Sequence, residues 1–91
     1  MRATRIKMKP GFYTSQNLVE IDEIYIIGCR IPGYYKKEAL YDYLKKNPNT
    51  IQVNNYPFPD LLPEVSIRGE KYVRSRPNGT TKDNLLSLPR D

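Results

Sequence analysis

The chain has no histidine, no tryptophan and a single cysteine, Cys29, among its 91 residues. Without histidine, the commonest general base and the Ser-His and Cys-His nucleophile pairs are excluded. A lone cysteine excludes an internal disulfide, and the missing histidine also excludes zinc sites of the Cys/His type. None of the five glycines belongs to a P-loop or a Gly-x-Gly-x-x-Gly sequence. We therefore predict neither a metal ion nor a cofactor, and an enzyme is the minority interpretation.

Long hydrophobic runs are also absent. The longest, Ile24 to Ile27, is too short to cross a membrane, and no apolar signal-peptide core follows the basic N-terminal residues. We therefore expect a cytoplasmic protein that does not contact a membrane, with Cys29 packed as a small buried hydrophobe. The length allows one hydrophobic core, which predicts a single domain over residues 1–91.

The net charge of +5 is unevenly placed along the chain. Residues 1–9 carry four bases and no acid, and residues 68–91 carry six bases and three acids. The middle, residues 10–67, has five bases and seven acids. If the two basic ends share a face, they form a positive field suited to phosphate or to an acidic partner. A net charge of this size also serves solubility alone.

Alternation of apolar and polar residues predicts several half-buried strands. They cover residues 3–8, 19–29, 50–54, 64–67 and 70–75. Within the second of these, the phase of alternation slips at Glu23, which indicates either a β-bulge or a strand with an exposed first half and a covered second half. The narrow apolar stripe of Leu40, Tyr43 and Leu44 predicts one helix over residues 34–47. We therefore predict an α+β domain in which a small, mainly antiparallel sheet packs one face against this helix.

Two segments are expected to be irregular but ordered. Residues 56–63 contain three prolines, which predicts a loop with Phe58 and either Leu61 or Leu62 in the core. After the turn at Pro77–Gly79, either Thr80 or Thr81 is expected to cap a short helical turn. The leucines that follow predict a docked tail; they are Leu85, Leu86 and Leu88.

Basic and aromatic residues are interleaved in two places, and these are the candidate ligand-binding residues. The last predicted hairpin carries Arg68, Lys71, Tyr72, Arg74 and Arg76, and the start of the predicted helix carries Lys36 and Lys37. Arginine and tyrosine together stack on bases and pair with phosphates, although protein interfaces use the same residues. Two lysines at a helix start oppose the helix dipole, so they are either solvated or mark an anion site.

Several stretches from Gly28 onward carry a family resemblance. They are Pro32-Gly33-Tyr34-Tyr35-Lys36-Lys37, Tyr56-Pro57-Phe58-Pro59, and Lys71 to Asn78 running into Asp83 to Pro89. Together they resemble domain of unknown function family 3892, a group of small uncharacterised proteins from bacteria and their mobile elements. The resemblance implies a bacterial or phage setting and assigns no catalytic residue. Within the last stretch we expect Asp83 or Asn84 to bind backbone and pin the tail, and Arg74 to pair with Asp83.

Three classes of function follow from these patterns. The first is a non-enzymatic binding module for an anionic partner, either nucleic acid or a nucleotide, that uses the candidate residues named above. The second is a protein–protein or self-association module, such as a homodimer, with the tyrosines and the proline-rich loop at its interface. The third is a small enzyme that uses Glu20 and Asp22, which are expected to share one face of a strand.

Overall fold

A four-stranded sheet forms the larger layer of the structure, a computed structural model that describes residues 1–79 and 82–91. Its strands lie in the order β3-β2-β1-β4, where β1 is Arg2–Met8, β2 is Ile21–Ile27, β3 is Gly33–Lys36 and β4 is Gln52–Val53. Only β4 runs parallel to its neighbour, β1. A hairpin of β5 (Leu61–Val65) and β6 (Lys71–Ser75) forms a second, antiparallel sheet. Helix α1 (Lys37–Lys46) packs against both sheets, which confirms the small α+β fold.

The predicted bulge in the second strand is present. Lys7 of β1 lies opposite Glu23, but the next residue, Met8, lies opposite Ile21, so Asp22 has no partner on β1. Because of this extra residue, Ile21 and Ile24 both point into the core although they are three positions apart. The first part of the predicted strand is wrong, since residues Leu18–Glu20 form a 3₁₀ turn.

The helix begins three residues later than its pattern predicted. Residues 34–36 belong to β3, where Tyr34 lies opposite Tyr25 and Tyr35 lies opposite Ile24. The open edge of β2 offers backbone partners to this segment, and tyrosine suits a half-buried strand. Leu40 and Leu44 of the predicted stripe are buried, so they lie on the face of α1 that packs against the core.

The connection between β2 and β3 requires a glycine. Gly28 has a φ of +79°, and a Cβ added there would lie 3.3 Å from the Cα of Met1. Cys29, which follows, packs against the core but is only half-buried, so it is less buried than predicted. Its Sγ lies 3.3 Å from the carbonyl oxygen of Ile31.

The proline-rich segment is more regular than predicted. Strand β5 starts at Leu61 and includes Pro63, which lies opposite Val73 in the hairpin. Proline is tolerated there because β5 has a partner strand on one side only. Leu61 is buried as expected, but Phe58 is 42% exposed, with the guanidinium carbon of Arg2 4.5 Å from its ring centroid. The predicted burial of Phe58 is therefore wrong.

The C-terminal tail is docked, as predicted. Leu85, Leu86 and Leu88 are all buried, and the first two lie in a 3₁₀ turn over Asn84–Ser87. The backbone N–H of Ile6 in β1 donates to Pro89. The predicted caps, Thr80 and Thr81, lie outside the described residues, and Asp83 caps this turn instead. In the described part of the chain, no helix has the length and apolar character needed to cross a membrane.

Candidate anion-binding cleft

The two lysines predicted at the helix start have different environments. Lys37 is only 1% exposed, and its Nζ donates to the Val19 carbonyl and to Glu70 Oε2, both at 2.5 Å. Lys36 remains exposed, and its Nζ lies 3.1 Å from Asp22 Oδ1. In this conformation Lys37 cannot reach a ligand in solvent, so we correct its assignment to a structural one.

A second base, Lys9, completes the cluster around Lys37. Lys9 Nζ lies 2.7 Å from the same Glu70 Oε2, and 3.9 Å from Glu20 Oε2. Hydrogen bonds from Lys37 and Lys9 lower the pKa of Glu70, and the bond to Glu70 raises the pKa of Lys9. We refer to Lys9, Lys37 and Glu70 as the ion triad. It joins the end of β1, the start of α1 and the loop between β5 and β6.

Two of the predicted hairpin bases, Arg68 and Lys71, do not line the cleft that the other two share. Lys71 Nζ pairs with Asp42 Oδ1 of α1 at 2.8 Å, and this contact raises the pKa of Lys71. Arg68 is exposed in the turn of the hairpin and makes no ion pair with any described residue. Tyr72, which follows Lys71 on β6, is half-buried.

The remaining two predicted bases, Arg74 and Arg76, line one cleft of about 290 Å³. Its other walls come from the segment before the 3₁₀ turn at residues 18–20 and from the tail. They are Gln16, Leu18, Ser75, Pro77, Asn78, Lys82, Asp83, Asn84 and Leu86. Lys82 is therefore a third base of this cleft, which the interleaving of basic and aromatic residues did not single out.

Asp83 and Asn84 build the floor of the cleft. The carboxylate of Asp83 accepts from the backbone N–H and hydroxyl of Ser75 and from the N–H of Leu85. The amide nitrogen of Asn84 donates to the side-chain oxygen of Asn55 at 2.8 Å and to the carbonyl of Tyr56 at 3.0 Å. These bonds clip the tail to the hairpin and to the proline-rich loop, which confirms the predicted pinning role.

Arg74 does not pair with Asp83, so that prediction is wrong. The Asp83 oxygens are already committed to Ser75 and Leu85, and the Nε of Arg74 donates only to the Ser75 carbonyl, at 3.5 Å. Arg74 makes no ion pair with any residue in the described ranges 1–79 and 82–91. Arg76 makes only a long one, with 3.7 Å between its Nε and Asp60 Oδ2. The cleft thus contains three bases and one acid that is occupied by other donors.

The two carboxylates predicted to share a strand face are not brought together. Glu20 lies in the 3₁₀ turn, 3.9 Å from Lys9, whereas Asp22 lies in the bulge of β2 and pairs with Lys36. Over the described residues, no three acidic or cysteine side chains are grouped closely enough to hold a metal ion.

The two basic ends of the chain do meet, but much of their charge is neutralised locally. Residues 89–91 run beside β1, and the guanidinium of Arg5 binds the carboxylate of Asp91 at 2.5 Å. This contact raises the pKa of Arg5 and lowers the pKa of Asp91. The guanidinium of Arg90 donates to the carbonyls of Tyr13 and Ser15. The two ends therefore do not form one continuous positive face, and the cleft is one place where several bases lie together.

These features define a small α+β domain with a basic cleft at the end of its hairpin. Residues 63–89 match the model of a family described as Protein of unknown function (DUF3892). The resemblance is thereby confirmed over the hairpin and the tail, and the match does not extend back to Gly28. No curated protein and no solved structure matches the chain. The matched segment contains all three bases of the cleft, together with Asp83 and Asn84.

Proposed function

We propose that the protein is a non-enzymatic binding module whose cleft holds a backbone phosphate of a nucleic acid. The observation that carries the proposal is Arg74, a half-buried residue that lines a cavity and whose guanidinium makes no ion pair with a described residue. Taking an arginine partly out of water without a counter-charge is costly, so such a group suits an external anion.

The chemistry of the cleft suits phosphate in particular. A guanidinium presents its N–H donors as a planar fork that matches two oxygens of one phosphate, and Arg76 and Lys82 add positive charge in the same cleft. The single acid, Asp83, accepts hydrogen bonds from Ser75 and Leu85, so it is already satisfied without an added cation. The set therefore favours an anion over a cation as the occupant.

Two ligands could present a phosphate to this cleft, a nucleic acid strand and a free nucleotide. Sites that enclose a whole small molecule span about 300–1,000 Å³, and this cleft, at about 290 Å³, lies at the lower end of that range. A phosphate with part of its sugar fits such a volume, while the rest of a nucleic acid strand would extend over the surface. A free nucleotide stays the alternative ligand of the same chemistry.

The test is a salt titration of binding to short single- and double-stranded oligonucleotides. Phosphate contacts from the two arginines predict that affinity falls about 7- to 12-fold between about 50 and 200 mM salt, because counterions are released on binding. A mononucleotide measured in parallel distinguishes the two ligands: the proposal predicts that it binds more weakly than the oligonucleotides. Absence of oligonucleotide binding at low salt would contradict the proposed function.

A second candidate, the protein-interaction module, is favoured by the proline-rich loop. Tyr56 is 82% exposed, its ring packs edge-on against Phe58, and Arg2 lies over the Phe58 ring. Exposed aromatic residues beside an arginine are typical of the centres of protein interfaces.

Sedimentation over a range of protein concentrations tests self-association through this loop. The candidate predicts an oligomer that Tyr56→Ser dissociates, and Tyr13→Ser, at another exposed tyrosine, serves as the matched control. A monomer at all concentrations would remove the homodimer and leave only a different protein as a partner. The cytoplasmic location and the bacterial or phage setting stay predictions from the sequence.

A further inference from the structure

A second cavity, distinct from the basic cleft, lies between α1 and the four-stranded sheet. This groove has a volume of about 470 Å³. Its floor is made of buried residues from three parts of the chain, Ile26 of β2, Leu40 of α1 and Ile51 before β4. Its rim is made of exposed or half-exposed apolar groups, among them Ile31 and Tyr43. No residue of this groove lines the basic cleft.

The polar groups of the groove are few, and none is acidic. Arg30 is its one charged side chain, it is exposed, and it makes no ion pair with a described residue. The hydroxyl of Tyr35 donates to the Ile31 carbonyl at 2.5 Å, and burial raises the pKa of Tyr35. The groove thus has an apolar body and an exposed guanidinium, while the terminal ammonium of Met1, also a lining residue, already donates to the Thr50 carbonyl at 3.1 Å.

We propose that this groove binds a small amphipathic anion, with its apolar body between α1 and the sheet and its carboxylate at Arg30. The volume lies within the range of about 300–1,000 Å³ that is usual for small-molecule sites. An apolar lining with one charged group at its rim is how such sites fix the orientation of a ligand. The absence of an acidic side chain from the lining excludes a preference for an organic cation.

The groove contains its own reporter. Cys29 lines it, is half-buried, and is the single cysteine of the chain. Alkylation of its thiol by iodoacetamide, a neutral reagent, therefore reports whether the groove is occupied. We choose decanoate as the probe, because it combines an apolar chain with one carboxylate. Decyltrimethylammonium, with the same chain and the opposite charge, is the matched control ligand.

The expected result is that decanoate slows alkylation of Cys29 about tenfold at a concentration about ten times its dissociation constant. Arg30→Gln should weaken decanoate binding about fivefold, in the range of a solvent-exposed ion pair. Lys45→Gln, an exposed charge of α1 outside the groove, should leave it unchanged. Ala39→Leu should abolish protection, because Ala39 lines the groove and the larger side chain fills it. Thermal unfolding of the Ala39→Leu variant checks that this variant folds.

Three outcomes would overturn the proposal. Alkylation at the same rate with and without decanoate would mean that the groove takes no such ligand. Equal protection by decyltrimethylammonium would mean that Arg30 does not make the groove prefer an anionic ligand. Protection that depends on protein concentration, with a dimer in light scattering and no effect of decanoate, would mean that a second copy of the chain covers the groove. Because the groove and the basic cleft share no residues, failure of either proposal leaves the other testable.

Discussion

The ion triad and the basic cleft contain the same kinds of side chain in opposite circumstances. In the triad, Glu70 accepts hydrogen bonds from both Lys37 and Lys9, so its charges are matched within the protein. In the cleft, Arg74 has no carboxylate partner among the described residues. The neighbouring acid, Asp83, instead accepts a hydrogen bond from the backbone N–H of Ser75. The comparison shows that a basic residue is a candidate for ligand binding only where the fold gives it no partner of opposite charge.

The largest expected effect concerns the triad. Glu70→Gln would leave Lys37 buried without a counter-charge, which should lower the free energy of unfolding by about 2–4 kcal/mol. That figure sits below the full penalty for a broken buried pair because the Glu70 side chain is 35% exposed and partly screened. Urea denaturation measures it. Glu64→Gln, an exposed acid of the same hairpin with no ion pair to a described residue, is the matched control and should change stability by less than about 0.5 kcal/mol.

The floor of the cleft should show the next largest effect. Asp83→Ala removes the acceptor for two N–H groups and one hydroxyl, which should destabilise the protein by about 2 kcal/mol. Arg74→Gln should change stability by less than about 0.5 kcal/mol, since its charge contributes no ion pair within the described structure. Thermal unfolding of both variants measures the contrast. Equal losses of stability would mean that Arg74 is a structural residue after all.

The pH dependence of stability sharpens the same comparison with a smaller effect. The pKa of Glu70 is lowered in the folded state by Lys37 and Lys9. Its contribution is therefore fully present above the ordinary glutamate value of about 4.3 and is lost as the pH falls through the lowered folded-state pKa. We expect the stability difference between the unmodified protein and Glu70→Gln to shrink over that acidic range. A difference that is constant with pH would contradict the triad as an ionic contact.

The sequence predicted those features that depend on local pattern. The phase slip at Glu23 had a bulge as one of its two interpretations, and the apolar content of the tail predicted that it docks. The helix start was wrong because pairing of Tyr34 and Tyr35 with β2 depends on an edge that no local pattern reveals. Propensity yields to tertiary context at such positions.

The site was predicted only in part, for a related reason. Arg74 and Arg76 were selected and lie together, but Lys37 was selected on equal grounds and is buried against Glu70, far away in the sequence. Lys82 belongs to the cleft because the tail folds back on β6, and its neighbours in sequence give no sign of this. Whether a charged side chain has a partner of opposite charge depends on residues far away in the sequence, so only the structure shows it.

The central claim is that the unmet charge of Arg74, and not the net charge of the chain, carries anion binding. The most direct test compares Arg74→Gln with Arg68→Gln, which removes the same charge from the exposed turn of the same hairpin, in oligonucleotide binding at several salt concentrations. We expect Arg74→Gln to reduce the slope of log affinity against log salt by about 0.7–0.9 and Arg68→Gln to leave it nearly unchanged. Equal effects of the two substitutions would show that binding follows net charge alone and would contradict the assignment of the cleft.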